Sequence, residues 1–211
     1  MAVRDRFTAI SVNGDAFSDQ IKQKTIDEIQ EHFGQIDLVV YSLASPRRLH
    51  PKTGIDHRSV LKPVGDPCKG KTVDLTSENI TEITIHPASA EEVADTIAVM
   101  GGEDLEFWVE SLLSKDLLAP QANIVAYSYI GPQVTAQIYS SGTIGLAKMD
   151  LEQRVNAIDE KLLAQINGRA YVSVNKAVIS QASAAIPIVP LYISMLYRIM
   201  DAKNLNEKPI D

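Results

Sequence analysis

Residues 18–42 read SDQIKQKTIDEIQEHFGQIDLVVYS, and within them one periodicity gives way to another. Ser18 is a helix-capping residue with Asp19 in the first turn behind it. Ile21, Thr25, Ile29 and Phe33 then share one helical stripe, with Ile26 beside it, and Gly34 ends the helix. Asp37–Ser42 (DLVVYS) follows as a strand that is apolar at nearly every position. Such a strand suits a parallel sheet covered on both faces. Upstream, Phe7–Val12 has the β-branched, apolar composition of another strand and stops at Asn13-Gly14-Asp15. Strand, helix and strand with short joints predict a βαβ crossover, and so an α/β fold.

In open α/β sheets, ligands sit beyond the carboxyl ends of the strands. Those ends are Asn13–Ala16 and Ser42–Pro46, small and polar, as close approach of a nucleotide to backbone requires. Ordinary loops share that composition. Arg47-Arg48-Leu49-His50-Pro51-Lys52 is the strongest basic cluster in the chain. It is either a handle for a phosphorylated ligand, since guanidinium groups bind phosphate bidentately, or a solvated face.

Between about Gly54 and Pro87, glycine and proline punctuate short runs at Val60-Leu61, Lys71–Val73 and Ile80–Ile85, which predicts a small antiparallel excursion. Ser89 caps a helix running to Met100, and Asp104–Leu113 makes another, whose Phe107 and Trp108 read as core. Asn123–Tyr129 is the next strand. A long helix follows, apolar at helical spacing from Ile144 to Ile166, and then a strand at Arg169–Val174. Ala177–Tyr197 carries no charge, but its serines, prolines and glutamine mark buried helix and loop, suited to an acyl chain, rather than a membrane span.

A chain of 211 residues fits one domain, spanning residues 1–211, and 45% hydrophobic content with 22% charge describes a globular one. A net charge of -7 argues against general electrostatic binding to nucleic acid or anionic membrane. The single cysteine, Cys68, excludes an internal disulfide and suits a reducing compartment. No metal-ligand spacing links the histidines to Cys68, so no metal is expected.

Tyr127–Lys148 (YSYIGPQVTAQIYSSGTIGLAK) brings the chemistry into view. Either its tyrosines are core rings, or a lysine beside one of them favours the tyrosinate and makes a usable acid. Lys148 falls on the apolar side of the long helix, where a cation needs a reason. On a continuous helix, the nine steps from Tyr139 to Lys148 would turn by about 900° and separate the side chains by roughly 13.5 Å. The two can cooperate only if Tyr139 precedes the helix. Ser140-Ser141-Gly142-Thr143 would then turn the chain, with Gly142 supplying backbone freedom and Ser or Thr the cap.

These segments together resemble the single-chain NADH-dependent trans-2-enoyl-CoA and enoyl-ACP reductases, enlarged relatives of the short-chain dehydrogenases. The matching stretches are NGDAFSD (13–19), LVVYSLASPRR (38–48), KTVD (71–74), AVMGGED (98–104), AYSYIGP (126–132), Tyr139 with GTIG and Lys148, and YVSVNKA with QASAAIP (171–187). The resemblance covers essentially the whole chain. It implies a Rossmann-like three-layer sandwich around a parallel sheet, with the chain corresponding to the middle of a longer enzyme and incomplete at both ends. No G-x-G-x-x-G-like turn precedes Phe7. By the same resemblance, Tyr139 is the proton donor, and Lys148 holds the nicotinamide ribose and acidifies it. Tyr129 stands at the substrate carbonyl. Asp15, Ala16, Leu43 and Ala44 contact the adenine and ribose side of NADH, and Val178, Ile179 and Ser180 border the nicotinamide. The implied substrate is an enoyl-CoA or enoyl-acyl-carrier-protein thioester, reduced in the cytoplasm by a monomeric enzyme. Ser140-Ser141 and Leu146 depart from the family pattern without touching the Tyr-Lys pair. The alternative is a non-catalytic remnant that holds acyl-CoA through Arg47, Arg48 and the apolar segment.

Overall fold

The computed structural model describes residues 7–74, 77, 79–175 and 186–205. Helix α1 (Asp19–His32) leads into strand β1 (Ile36–Tyr41), and two short hairpins follow, β2 (Arg47–Leu49) with β3 (Asp56–Arg58) and β4 (Cys68–Val73) with β5 (Ile80–Ile85). Helices α2 (Ala90–Met100) and α3 (Glu103–Ser114) precede β6 (Leu118–Ser128). Helix α4 (Thr143–Ile166), β7 (Arg169–Val174) and α5 (Val189–Ala202) complete the order.

β6 lies between β1 and β7, parallel to both, with Val39 opposite Ile124 and Ile124 opposite Ala170. The Rossmann-like α/β class and the antiparallel excursion are therefore as expected. Side chains alternate across a strand, so these residues line one face of the sheet. On it, Leu105, Val109 and Leu112 of α3 and Leu151, Val155 and Leu162 of α4 meet Ile124, Ala126 and Ala170. Ile26 of α1 joins the same core. The opposite face presents Leu38, Val40, Tyr127 and Tyr171, each about half exposed, so the helices among the described residues cover one side of the sheet.

Local signals held where capping chemistry was specific. Ser18 Oγ accepts from Ile21 N at 3.2 Å, and Ser89 with Glu92 closes a reciprocal capping box on α2. Three expectations are corrected. Phe7–Val12 joins no ladder with the described residues and is largely exposed, so the expected first βαβ unit is present only as α1 and β1. Strand composition produces a strand only where a neighbour takes its backbone groups. Phe33 is exposed, because as the C-cap of α1 its backbone has already left the helix (φ −124°); the buried line runs through Lys22 and Ile26. Val60-Leu61 forms no strand; the Val60 amide donates to Thr96 of α2 and its carbonyl accepts from Thr143 of α4 instead. The 177–185 part of the apolar segment lies outside the described residues, and no helix among those described is long and apolar enough to cross a membrane.

Candidate active site

α4 begins at Thr143 with Gly142 as its N-cap, so Tyr139 precedes the helix as the spacing argument requires. The expected reason for Gly142 is replaced by another. Its φ of −100° is open to any residue, but a Cβ there would lie 2.8 Å from the carbonyl oxygens of both Ile138 and Lys62. No side chain caps the helix at that position. The end is instead clipped from outside, with Thr143 N donating to Lys62 O at 3.0 Å and Thr143 Oγ1 donating to Val60 O. Gly145 is the tighter contact. Its amide donates to Tyr139 O at 3.0 Å, and a Cβ would stand 2.0 Å from Ser140 O. The loop carrying Tyr139 thus rests directly on the first turn of α4, three residues before Lys148.

Tyr129, Tyr139, Lys148 and Glu152, with Ser128 and Met149, line a cavity of about 190 Å³ beyond the carboxyl end of β6. The Tyr129 and Tyr139 rings meet edge to face at 5.2 Å, and a Cβ on Gly131 would touch the Tyr139 ring at 3.1 Å. Glycine at the Ile130-Gly131-Pro132 corner therefore lets Tyr139 lie flat against the backbone. Burial first, and then the neighbouring Tyr129, push the Tyr139 phenol up to about 12. The expected acidification of Tyr139 by Lys148 does not appear, since burial and Tyr129 both move the phenol upward. Burial pushes the Lys148 ammonium below its usual range, and the Glu152 carboxylate opposes that shift. Burial also raises Tyr129, with Tyr192 of α5 adding to it.

Asp15, Ala16, Leu43 and Ala44 do not line this cavity. They are exposed or half-exposed on loops before α1 and after β1, and Asp15 Oδ1 accepts from Phe17 N at 3.0 Å. Val178, Ile179 and Ser180 lie outside the described residues. The basic cluster is consumed internally. Arg47 pairs with Asp56, Arg48 and His50 with Glu103, and Lys52 with Asp19. Tyr127 stands half exposed on the open face of the sheet and does not line the cavity.

The family model described as the trans-2-enoyl-CoA reductase catalytic region matches residues 1–211. The chain belongs to that family. It is 59% identical over 203 residues to an NADH enoyl-[acyl-carrier-protein] reductase of Opitutus terrae, a match covering 96% of this chain and 51% of that protein. It is 52% identical over 211 residues to an NADH trans-2-enoyl-CoA reductase of Ruminiclostridium cellulolyticum, covering 100% of this chain and 53% of that one. The crystal structure of the Clostridium acetobutulicum trans-2-enoyl-CoA reductase in complex with NADH superposes with a TM-score of 0.91 at 46% identity, over 98% of this chain and 52% of that one. The chain spans about half the length of the curated relatives it matches.

Within this enoyl reductase catalytic region, the sequence reading passed over Glu152, Gly145 and Lys22. Glu152 had a signal, standing four residues after Lys148 on the same helix face. Gly145 stood in the GTIG stretch without a role, because its contact depends on the Tyr139–Ser140 turn folding back onto the helix, and Lys22 had no signal, because Asp104 comes from 82 residues away.

Proposed function

We propose that the protein carries the acid half of an NADH-dependent enoyl-thioester reductase, which saturates the trans-2 double bond of an enoyl-CoA or enoyl-acyl-carrier-protein in fatty acid metabolism. The observation that carries this reading is the meeting of Tyr139, Lys148 and Tyr129 around one cavity beyond a strand end. The relatives' names support it and divide between the two carriers.

The donors present suit a dinucleotide. The half-buried Lys148 ammonium makes no hydrogen bond to another described residue, which leaves its donors for ribose hydroxyls beside the nicotinamide. Asp15-Ala16 and Leu43-Ala44 offer small, accessible backbone for the adenine side, and Val178–Ser180 would border the nicotinamide. When bound, NADH supplies a hydride to the substrate β-carbon.

Tyr139 then donates a hydrogen bond to the thioester carbonyl, and the bond strengthens as negative charge gathers on that oxygen in the enolate. A phenol held near 12 stays protonated at neutral pH, so Tyr139 works as an oriented donor rather than as a dissociated acid. A proton passed from solvent through the Tyr139 hydroxyl to the α-carbon completes the reduction and leaves the phenol protonated. Tyr129, at the edge of the Tyr139 ring, orients it and stands as the second hydroxyl at the carbonyl. Against the acyl-CoA-binding alternative stands the engagement of Arg47 with Asp56 and of the buried Arg48 with Glu103. The free, buried Cys68 supports a reducing, cytoplasmic setting, and a monomeric enzyme is the reading we adopt. The test is NADH oxidation with crotonyl-CoA. Tyr139→Phe is expected to lower turnover by roughly 10²–10⁴-fold, and undiminished turnover would remove Tyr139 from the donor role.

A further inference from the structure

Two carboxylates open α3, and each receives a buried cation. The Lys22–Asp104 pair is the more enclosed, with side chains 4% and 2% exposed and Nζ 2.6 Å from Oδ1. The ammonium has three protons, and three acceptors meet them: Asp104 Oδ1, Ala16 O at 3.0 Å and Phe17 O at 2.9 Å. Asp104 Oδ2 accepts from the Tyr41 hydroxyl at 3.2 Å. Tyr41 ends β1, two residues before Leu43. Trp108 closes one side of the ammonium, 5.2 Å from its ring centroid. Burial and the Asp104 charge push the Tyr41 phenol up, which keeps it a donor.

A buried ion pair is a weak device for stability, since desolvation offsets most of the attraction and apolar replacements of similar volume are often neutral. Its geometry gives the better explanation. One end grips the carbonyls of the Asp15–Phe17 loop, and the other holds the last residue of β1, from which the Ser42–Ser45 loop departs. Those are the two loops assigned to the adenine side of NADH. Arg48 of β2, the strand into which the second loop leads, also packs against the Phe17 ring, 5.6 Å from its centroid.

We infer that Lys22, Asp104 and Tyr41 form a positioning cluster for the adenosine half of the dinucleotide, holding the two loops at the spacing that half requires. The inference rests on the NADH reading above and deepens it. Because the cluster touches loop backbone and strand end rather than the cavity, it acts on cofactor affinity and leaves the Tyr139 chemistry alone.

The test compares NADH with reduced nicotinamide mononucleotide, which lacks the adenosine half, by cofactor-fluorescence titration of the protein. The double variant Lys22→Met/Asp104→Leu removes both charges together and so keeps the core filled. It is expected to weaken NADH about tenfold, equivalent to ~1.4 kcal/mol, with reduced nicotinamide mononucleotide unchanged. Tyr41→Phe, which removes one hydrogen bond, is expected to weaken NADH about threefold in the same selective way, and it carries the test if the double variant fails to fold. Equal weakening of both cofactors, or of neither, overturns the positioning role. Absence of NADH binding by the unsubstituted protein is a separate result, which overturns the NADH reading on which the role depends.

Discussion

Lys148 and Glu152 set the electrostatics of the cavity against each other. Burial favours the neutral amine, and the carboxylate one turn along the helix favours the ammonium. Tyr139, near 12, does not titrate in the usual assay range, so an alkaline limb in kcat/KM would report Lys148. Replacing Glu152 by Gln removes the group that opposes desolvation, so the Lys148 pKa falls further. The alkaline limb should then begin at lower pH, while the plateau near neutrality changes little. The linked stability has a definite sign. With the folded pKa below the unfolded one, the unfolded chain binds more protons between the two values, so stability rises with pH across that window. Glu152→Gln extends the window downward. A pH–rate profile and melting temperatures taken across the alkaline range would check both directions, and an unmoved limb would detach Glu152 from Lys148. The pair was legible in the sequence as spacing, but the direction of its shifts was not. Burial decides that direction, and the walls come from Tyr129, Ile130 and Tyr139 as much as from α4 itself.

The start of α4 is the element on which the site turns. Val60–Pro63 is held between two helices, with Val60 N donating to Thr96 Oγ1 of α2 and Val60 O accepting from Thr143 Oγ1 of α4. Pro63 and Gly142 form an isolated antiparallel bridge beside them. This strap fixes where the helix begins, and Gly145 fixes how closely the Tyr139 loop rests on it. Gly145→Ala must push the Ser140 carbonyl away by more than an ångström, because the clash is with backbone. Displacements of that size can cost about 10²-fold in rate, so kcat should fall by that order while the circular dichroism spectrum is retained. Full activity would mean that the loop can move without carrying Tyr139 with it. Helix counts and caps were readable because Ser18, Ser89 and Gly34 act on their own neighbours. The Tyr139-before-helix geometry was readable from spacing arithmetic alone. Val60-Leu61 was misread as strand because strap and strand share an extended, apolar composition. Only the partners, Thr96 and Thr143, distinguish them.

At the scale of the molecule, the parallel sheet is apolar on both sides and covered by described helices on one. β1 reads as a doubly covered strand because Val39 and Tyr41 face the core while Leu38 and Val40 face outward. Val125 and Tyr171 stand beside Val40 in the ladder, so the outward residues form a continuous apolar surface across three strands. Contiguous apolar surface of this kind is uncommon on an isolated globular domain. The chain also spans about half the length of its curated relatives. The 211-residue chain by itself should therefore bind a hydrophobic fluorescent dye in its folded state, through this face. Val40→Lys with Tyr171→Lys should cut the dye signal several-fold. Because both side chains are already half exposed, the substitutions should lower the melting temperature by only a few degrees, the scale of about 1 kcal/mol. A large drop in melting temperature with no change in dye binding would show instead that the face is packed in solution and that the apolar surface lies elsewhere.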